Sequence, residues 1–514
     1  MYKIVAFVIL TLFGFCTSVQ SQETMEWADP DAAFKEAKQL YQQNQFSLAF
    51  PVFKRLYNNG VKQSNMPVQL LADAQYYYII CGLQLDESGA AELAKTFVEL
   101  DNHLAHVQMV SFYLGEYYYQ RKEYHNALVY YGKSNIVNLN NRQIATMKFH
   151  QGYAYFVSQD FEKAKPLFNT IRQLPADPNY IDANYYYGFL AFSERLYETA
   201  IECFLIAETH PDYQHVVPFY LTELYYFSGN REKALTYGEA AIKRNGQYYD
   251  LQLKQLVGHL LFEKREFARA LPYLETYIAS TEKVRREDLY ELSYCYYEAK
   301  NWNKAIQGFK QRGGALDSLE QNSMYLLADA YLKVNDLQNA RNAFQFCAAN
   351  NSNLVQKEVS GFHYAKLSYE LGYFDIAVKS FQQFLTQYPK SGYVNESKEL
   401  LVSTLANTNS FKDALSLYES LPNKSANATA LLPRLLYGRT VELINDQQLD
   451  AAEILLDQIL ITPNNTPQLP LVNFWKGELS YRSGKMDDAI QFLTQYLKAS
   501  IRNGEVNPSN ARYN

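Results

Sequence analysis

An alanine-centred pattern runs the length of this chain, and a chain that repeats at a fixed period has few folds open to it. In each copy an alanine has a bulky residue three positions before it and another four after. Phe46, Ala49 and Phe53 make the first. Tyr124, Ala127 and Tyr131 follow, then Phe161, Ala164 and Phe168, then Tyr197, Ala200 and Phe204. The pattern continues around Ala270, Ala305, Ala340, Ala377, Ala414, Ala452 and Ala489, with weaker copies at Ala90 and Ala234. From Ala90 onward the steps are 37, 37, 36, 34, 36, 35, 35, 37, 37, 38 and 37; only the step from Ala49 to Ala90 is irregular, at 41. One such unit cannot bury its apolar face alone, so neighbours must stack.

Twelve residues before the alanine a small residue recurs: Gly115, Gly152, Gly188, Gly258, Ser293, Ala328, Ala365 and Gly477. Offsets of three, four and seven within each half are the period of amphipathic helices. Between the halves stand Gln159-Asp160, Ser228-Gly229-Asn230, Lys300-Asn301, Asn335-Asp336 and Leu371-Gly372, residues that stop one helix and start the next. Each unit therefore reads as helix, tight turn, helix. Two helices cross at about 8–10 Å only where a side chain at the crossing is small. Glycine otherwise costs a helix about 1 kcal/mol, so its return at one place marks that crossing. Counts of only 22 Gly and 16 Pro argue against a loop-rich all-β chain, and 48% hydrophobic residues supply a continuous core.

The pattern resembles the tetratricopeptide repeat. The best copy is AKLSYELGYFDIAVKSFQQFLTQYPKS, residues 365–391, which carries Ala365, Leu367, Tyr369, Phe374, Ala377, Phe381 and the closing Pro389; GYAYFVSQDFEKAKPLF, residues 152–168, is nearly as good. The resemblance implies an all-α solenoid, a right-handed superhelix of about thirteen helix-turn-helix units, with a concave groove lined by the first helix of each pair. Units longer than the family's usual length, a shallow copy at Ala90, and Gly238 where a bulky residue is usual leave the register open around 60–110 and 230–245. The expected layout is a signal peptide over 1–21, a short lead over 22–30, the solenoid over 31–502, and the start of a further repeat over 503–514. On that reading the natural chain continues past Asn514.

The N-terminus carries Lys3 before an unbroken apolar run, Ile4 to Phe15. That suits the core of a signal peptide and is too short to span a bilayer. Val19 and Ser21 place cleavage after Ser21, and no later stretch would cross a membrane. Cys16 raises a lipid anchor at the outer membrane, a weaker reading because Phe15 stands where that processing wants a small residue. Export, to the periplasm or cell envelope, is the expectation. Long exported repeat chains with this Tyr, Phe, Gln and Asn bias resemble envelope proteins of Bacteroidetes-type bacteria. Cys81, Cys203, Cys295 and Cys347 lie far apart within apolar helical patterns and read as small buried hydrophobes.

Catalytic chemistry finds no footing. No HExxH, GxSxG, GxGxxG or phosphate loop is present, and Gly313-Gly314 reads as a turn. His103 and His106 beside Asp101 could chelate a metal but read better as a helix end. Asp317-Ser318-Leu319, in a presumed loop, resembles a short envelope O-glycosylation site. A net charge of −6 gives no basic footprint for nucleic acid. The chain is expected to be no enzyme, with no cofactor and no metal.

The 45 tyrosines and 30 phenylalanines supply the candidate site. By the resemblance, the groove is lined from positions fifteen and eight residues before the alanine. These hold Phe112 and Tyr119, Phe149 and Phe156, Tyr185 and Phe192, Phe219 and Tyr226, Tyr290 and Tyr297, Phe362 and Tyr369, and Phe474 and Tyr481. Seven residues is two helical turns, so each pair shares a face. The rings either pack between neighbouring first helices or form a groove for an extended protein or peptide client. Repeats that clamp a terminal carboxylate carry Lys, Asn and Arg at these positions instead. A scaffold for protein clients is the leading function; the alternative is a carbohydrate-binding component of an outer-membrane uptake system.

Overall fold

The computed structural model describes residues 29–62, 66–311, 317–499, 504 and 506–513. The expected signal peptide, Cys16 and the expected turn at Gly313-Gly314 lie outside them. Among the described residues the chain is all-α and forms no sheet, and its helices pair into thirteen hairpins. A six-residue helix, Pro508–Tyr513, follows the last pair. The hairpins fall into two compact units that divide at Asp250. Six belong to the first, and seven to the second from the helix Asp250–Glu263 onward. Within each unit a hairpin packs on the next, so each is a solenoid.

The turn inside the hairpin is built the same way throughout. After the first helix Leu104–Gln120, Lys122 takes a left-handed φ of 62°. The Lys122 N–H donates to the Tyr119 carbonyl and the Glu123 N–H to the Tyr118 carbonyl, both at 2.9 Å. This pair of bonds satisfies carbonyls that a helix end would otherwise orphan. Gln159, Arg195, Arg265, Lys300 and Asn335 repeat the conformation at the same place, five residues before the alanine. The next residue starts the second helix: Asp160, Asn230, Asn301 and Asp336 each accept an N–H three residues on, as N-cap residues do.

Small and large residues meet where the sequence places them. A Cβ on Gly115 would lie 2.6 Å from the Tyr131 ring, and one on Gly477 the same distance from Leu493. At Gly258 the neighbour is Leu274, at 2.8 Å, and at Gly152 it is Phe168, at 3.1 Å. In each case the obstructing residue is the bulky one four after the alanine. The Ala234 copy reverses the sizes: Thr222 stands at the small position and Gly238 at the bulky one, and both are buried.

Two expectations need correction. In the Ala90 copy, Ala90 begins the second helix, Ala90–Leu100, instead of sitting a turn inside it. The link from Gln84 is longer, with left-handed Asp86 and Gly89 both in it, and the alanine with no exposure is Ala94. The irregular first step arises earlier, where the second helix Phe46–Lys62 runs to 17 residues. Asp317-Ser318-Leu319 is not in a loop: Asp317 caps the helix Ser318–Lys333 by accepting the Glu320 N–H at 2.8 Å. His103 likewise caps Leu104–Gln120, its Nδ1 accepting the His106 N–H. All four cysteines outside the N-terminal segment are free and buried.

Candidate functional site

Each candidate ring belongs to a first helix, and several of them meet residues of the next repeat. In the first unit Tyr119 stacks on His150 with centroids 3.7 Å apart. Phe156 meets Tyr186 at 5.2 Å, Phe192 meets Phe227 at 6.0 Å, and Phe219 meets Tyr249 at 5.2 Å. Tyr185 stacks on Tyr213 at 4.1 Å, and Arg231 lies over the Tyr226 ring. In the second unit Phe362 stacks on Tyr393 at 4.4 Å. The Tyr290 hydroxyl accepts from Asn322 Nδ2, and the Tyr297 hydroxyl donates to Asp329, both at 2.6 Å.

The two rows differ in exposure. In the row fifteen before the alanine, Phe112, Phe149, Phe362 and Phe474 are buried, while Tyr185, Phe219 and Tyr290 keep partial exposure. In the row eight before it, Tyr119, Phe156, Phe192, Tyr226, Tyr297 and Tyr369 are half-buried and Tyr481 is exposed. A helix places the later row one side of the stacking seam, with one ring edge on the neighbour and the other toward solvent.

Charged groups interleave with the rings, and the sequence stripe, read as uncharged, missed them. Glu116, Glu223, His259, Asp329 and Lys366 occupy one position, eleven before the alanine. Its spacing from the ring rows, four and three residues, is the signal that would have found them. Glu116 Oε1 accepts from the Tyr131 hydroxyl at 2.6 Å and lies 2.9 Å from His150 Nδ1. His259 Nδ1 lies 2.6 Å from Glu291 Oε1. That bond raises the His259 pKa, against the opposing effect of its burial. Burial alone pushes the Glu223 carboxyl up to about 7, because a carboxylate loses its hydration there. His363 is lowered by burial. The face therefore carries one carboxyl, Glu223, that titrates near neutrality between hydrophobic rings.

Among the described residues no group of three His, Cys, Asp or Glu is placed to hold a metal ion, and no helix is long and apolar enough to cross a membrane. What the geometry defines is a helical-repeat scaffold that presents a row of fixed rings. A family profile for the tetratricopeptide repeat matches residues 360–391, and one described as anaphase-promoting complex, cyclosome, subunit 3 matches residues 263–347. These segments are homologous to tetratricopeptide repeats, which are non-catalytic scaffolds. No curated protein matches the sequence. Among solved structures, a tetratricopeptide repeat protein from Parabacteroides merdae ATCC 43184 is 15% identical, covering 51% of this chain and 99% of that one with a TM-score of 0.30.

Proposed function

We propose that the chain is an exported, non-enzymatic scaffold of the cell envelope that holds a protein or peptide client along the half-buried rings of its first helices. The apolar run ahead of Ser21 supports export. The observation that carries the binding reading is the row Tyr119, Phe156, Phe192, Tyr226 in the first unit and Tyr297, Tyr369, Tyr481 in the second. Each ring that is half-buried is held by its neighbours and still offers an edge. Rings fixed before binding lose little entropy on contact, and such residues dominate interface energies.

The test is a capture from envelope extract with the mature chain, followed by affinity and melting measurements on Tyr226→Ala, Tyr290→Ala and Tyr297→Ala. Each change should weaken client binding by about 1–2 kcal/mol. Melting should also fall for Tyr290 and Tyr297, whose hydroxyls hold Asn322 and Asp329. Affinity per folded molecule that stays unchanged in all three removes the groove and leaves the rings as packing between repeats. Capture of glycan in place of protein supports the carbohydrate reading.

A further inference from the structure

In one repeat of the second unit neither ring position holds a ring, and a cleft lies beside it. The helix Val394–Asn407 carries Glu399 and Ala406 where the preceding first helix carries Phe362 and Tyr369. A cavity of about 540 Å³ lies at the Glu399 position, between this helix and its neighbours. Tyr369 lines it from the preceding first helix, Glu396, Glu399 and Leu400 from this one, and Leu431 from the next. The size falls within the range of about 300–1,000 Å³ usual for ligand clefts.

The two carboxylates are three residues apart on one helix, so they share a face. Each is held by one oxygen. Glu396 Oε1 pairs with Lys366 at 2.8 Å, and Glu399 Oε1 accepts the Ser425 N–H at 2.8 Å. Neither Oε2 accepts a hydrogen bond from a described residue, and both carboxylates line the cleft together with the Tyr369 ring.

We propose that this cleft receives an arginine side chain from an extended client peptide, with apolar neighbours of that arginine resting on Leu400 and Leu431. The inference rests on the scaffold reading above and adds the chemistry of the client. A guanidinium has a planar fork of donors that can bridge two carboxylate oxygens, which a lysine ammonium, a point charge, does not match. Its face can stack on the Tyr369 ring. Its methylene stem suits the leucine wall.

The probe is a fluorescein-labelled peptide, Ser-Leu-Ala-Arg-Leu-Ala-Ser, titrated against the mature chain by anisotropy. Its control replaces arginine with citrulline, which keeps the shape and removes the charge. The arginine peptide should bind about tenfold more tightly, the effect of charge-assisted hydrogen bonds. The double variant Glu396→Gln, Glu399→Gln should erase that preference and leave the citrulline peptide unchanged. Its melting should move little, since an amide oxygen at 399 still accepts the Ser425 N–H and the Glu396–Lys366 pair it loses is solvent-exposed. Ser403→Trp, on the cleft wall, should block both peptides. Equal binding of the two peptides overturns the proposal. So does a preference that survives in the double variant, or no binding of either peptide up to about 1 mM. If the preference is absent while Tyr297→Ala still weakens a captured client, the arginine subsite falls and the scaffold stands. If the preference is present while no ring variant affects a client, the cleft stands and the ring row falls.

Discussion

Two glycines in equivalent first helices should respond to alanine with opposite sign. Gly115 lies at the crossing of its hairpin, and a Cβ there would sit 2.6 and 2.7 Å from two atoms of the Tyr131 ring. Carbon atoms in contact prefer about 3.5–4.0 Å, so the ring must retreat by roughly an ångström. It is poorly placed to do so. Tyr131 is 2% exposed, and its hydroxyl donates to Glu116 at 2.6 Å. Retreat strains or breaks a bond to a charged group, worth about 1.5–3 kcal/mol. Overpacking of this kind costs about 1–3 kcal/mol. Alanine returns about 1 kcal/mol of helix propensity, so Gly115→Ala should lose roughly 1.5–5 kcal/mol net. Gly361 lies in the helix Leu354–Glu370, where a Cβ would meet only Phe384, at 3.6 Å. That is ordinary contact, so Gly361→Ala should gain about 0.5–1 kcal/mol.

Because solenoid repeats are stabilised by their neighbours, the effects should stay local. Hydrogen exchange on the two variants reads them repeat by repeat. Protection should fall in residues 104–133 for Gly115→Ala and rise modestly in residues 354–387 for Gly361→Ala. If Gly115→Ala proves as stable as the parent, or the two glycines respond alike, the account of the small-residue positions is wrong.

Other consequences follow from the titrating groups. Burial raises the Glu223 carboxyl to about 7 from an ordinary 4.5, so the unfolded chain ionises first and stability drains away as pH rises from 4.5 through 7. Glu223→Gln should therefore melt like the parent at pH 4.5 and be more stable at pH 8. The ceiling is about 3 kcal/mol, and the part of the carboxyl left in solvent reduces the expectation to about 1–2 kcal/mol; equal melting at pH 8 refutes it. The His259 pKa is raised by Glu291. Its contribution is complete below the ordinary histidine value of about 6.5 and lost as pH climbs through the raised one. His259→Gln should accordingly flatten the loss of protection in residues 250–298 between pH 6 and pH 8; an unchanged slope would assign that loss elsewhere. Burial pushes the thiols of Cys81, Cys295 and Cys347 up to about 12 and that of Cys203 up to about 11. Native protein should show no fast reaction of these four with a thiol reagent at pH 8, and full reaction after denaturation.

The hairpin was legible because three local requirements recur with the same period. A small residue, a bulky partner and a cap each leave a mark, and in the Ala164 repeat they are Gly152, Phe168 and Asp160. The left-handed residue leaves a weaker mark, since Lys122, Gln159 and Arg195 fill it as well as glycine does. Hydrogen bonding across the turn fixes that conformation, and no side-chain type announces it. This is also why the Ala90 copy was misread. Ala90 falls near the expected period and reads as a weaker copy, but the turn before it holds two left-handed residues, Asp86 and Gly89, and the helix starts late.

The candidate site was legible as a face and not as a surface. Period alone puts Phe362 and Tyr369 on one side of a helix. It cannot tell that Phe362 is covered by Tyr393 while Tyr369 keeps an open edge, because the covering residue comes from the next repeat and depends on how far two first helices are apart. The same spacing decides what a missing ring does. At Glu399, where no ring stands, Tyr369 and Leu431 on the helices either side line a cleft and do not close over it. Glu399 borders that cleft without being stranded, because the N-terminus of the helix Ala426–Asn445 supplies the Ser425 N–H to one of its oxygens. A carboxylate at that position reads from the sequence as a defect in an aromatic ladder. In the folded unit, the helix packed beside it makes it one wall of a polar recess.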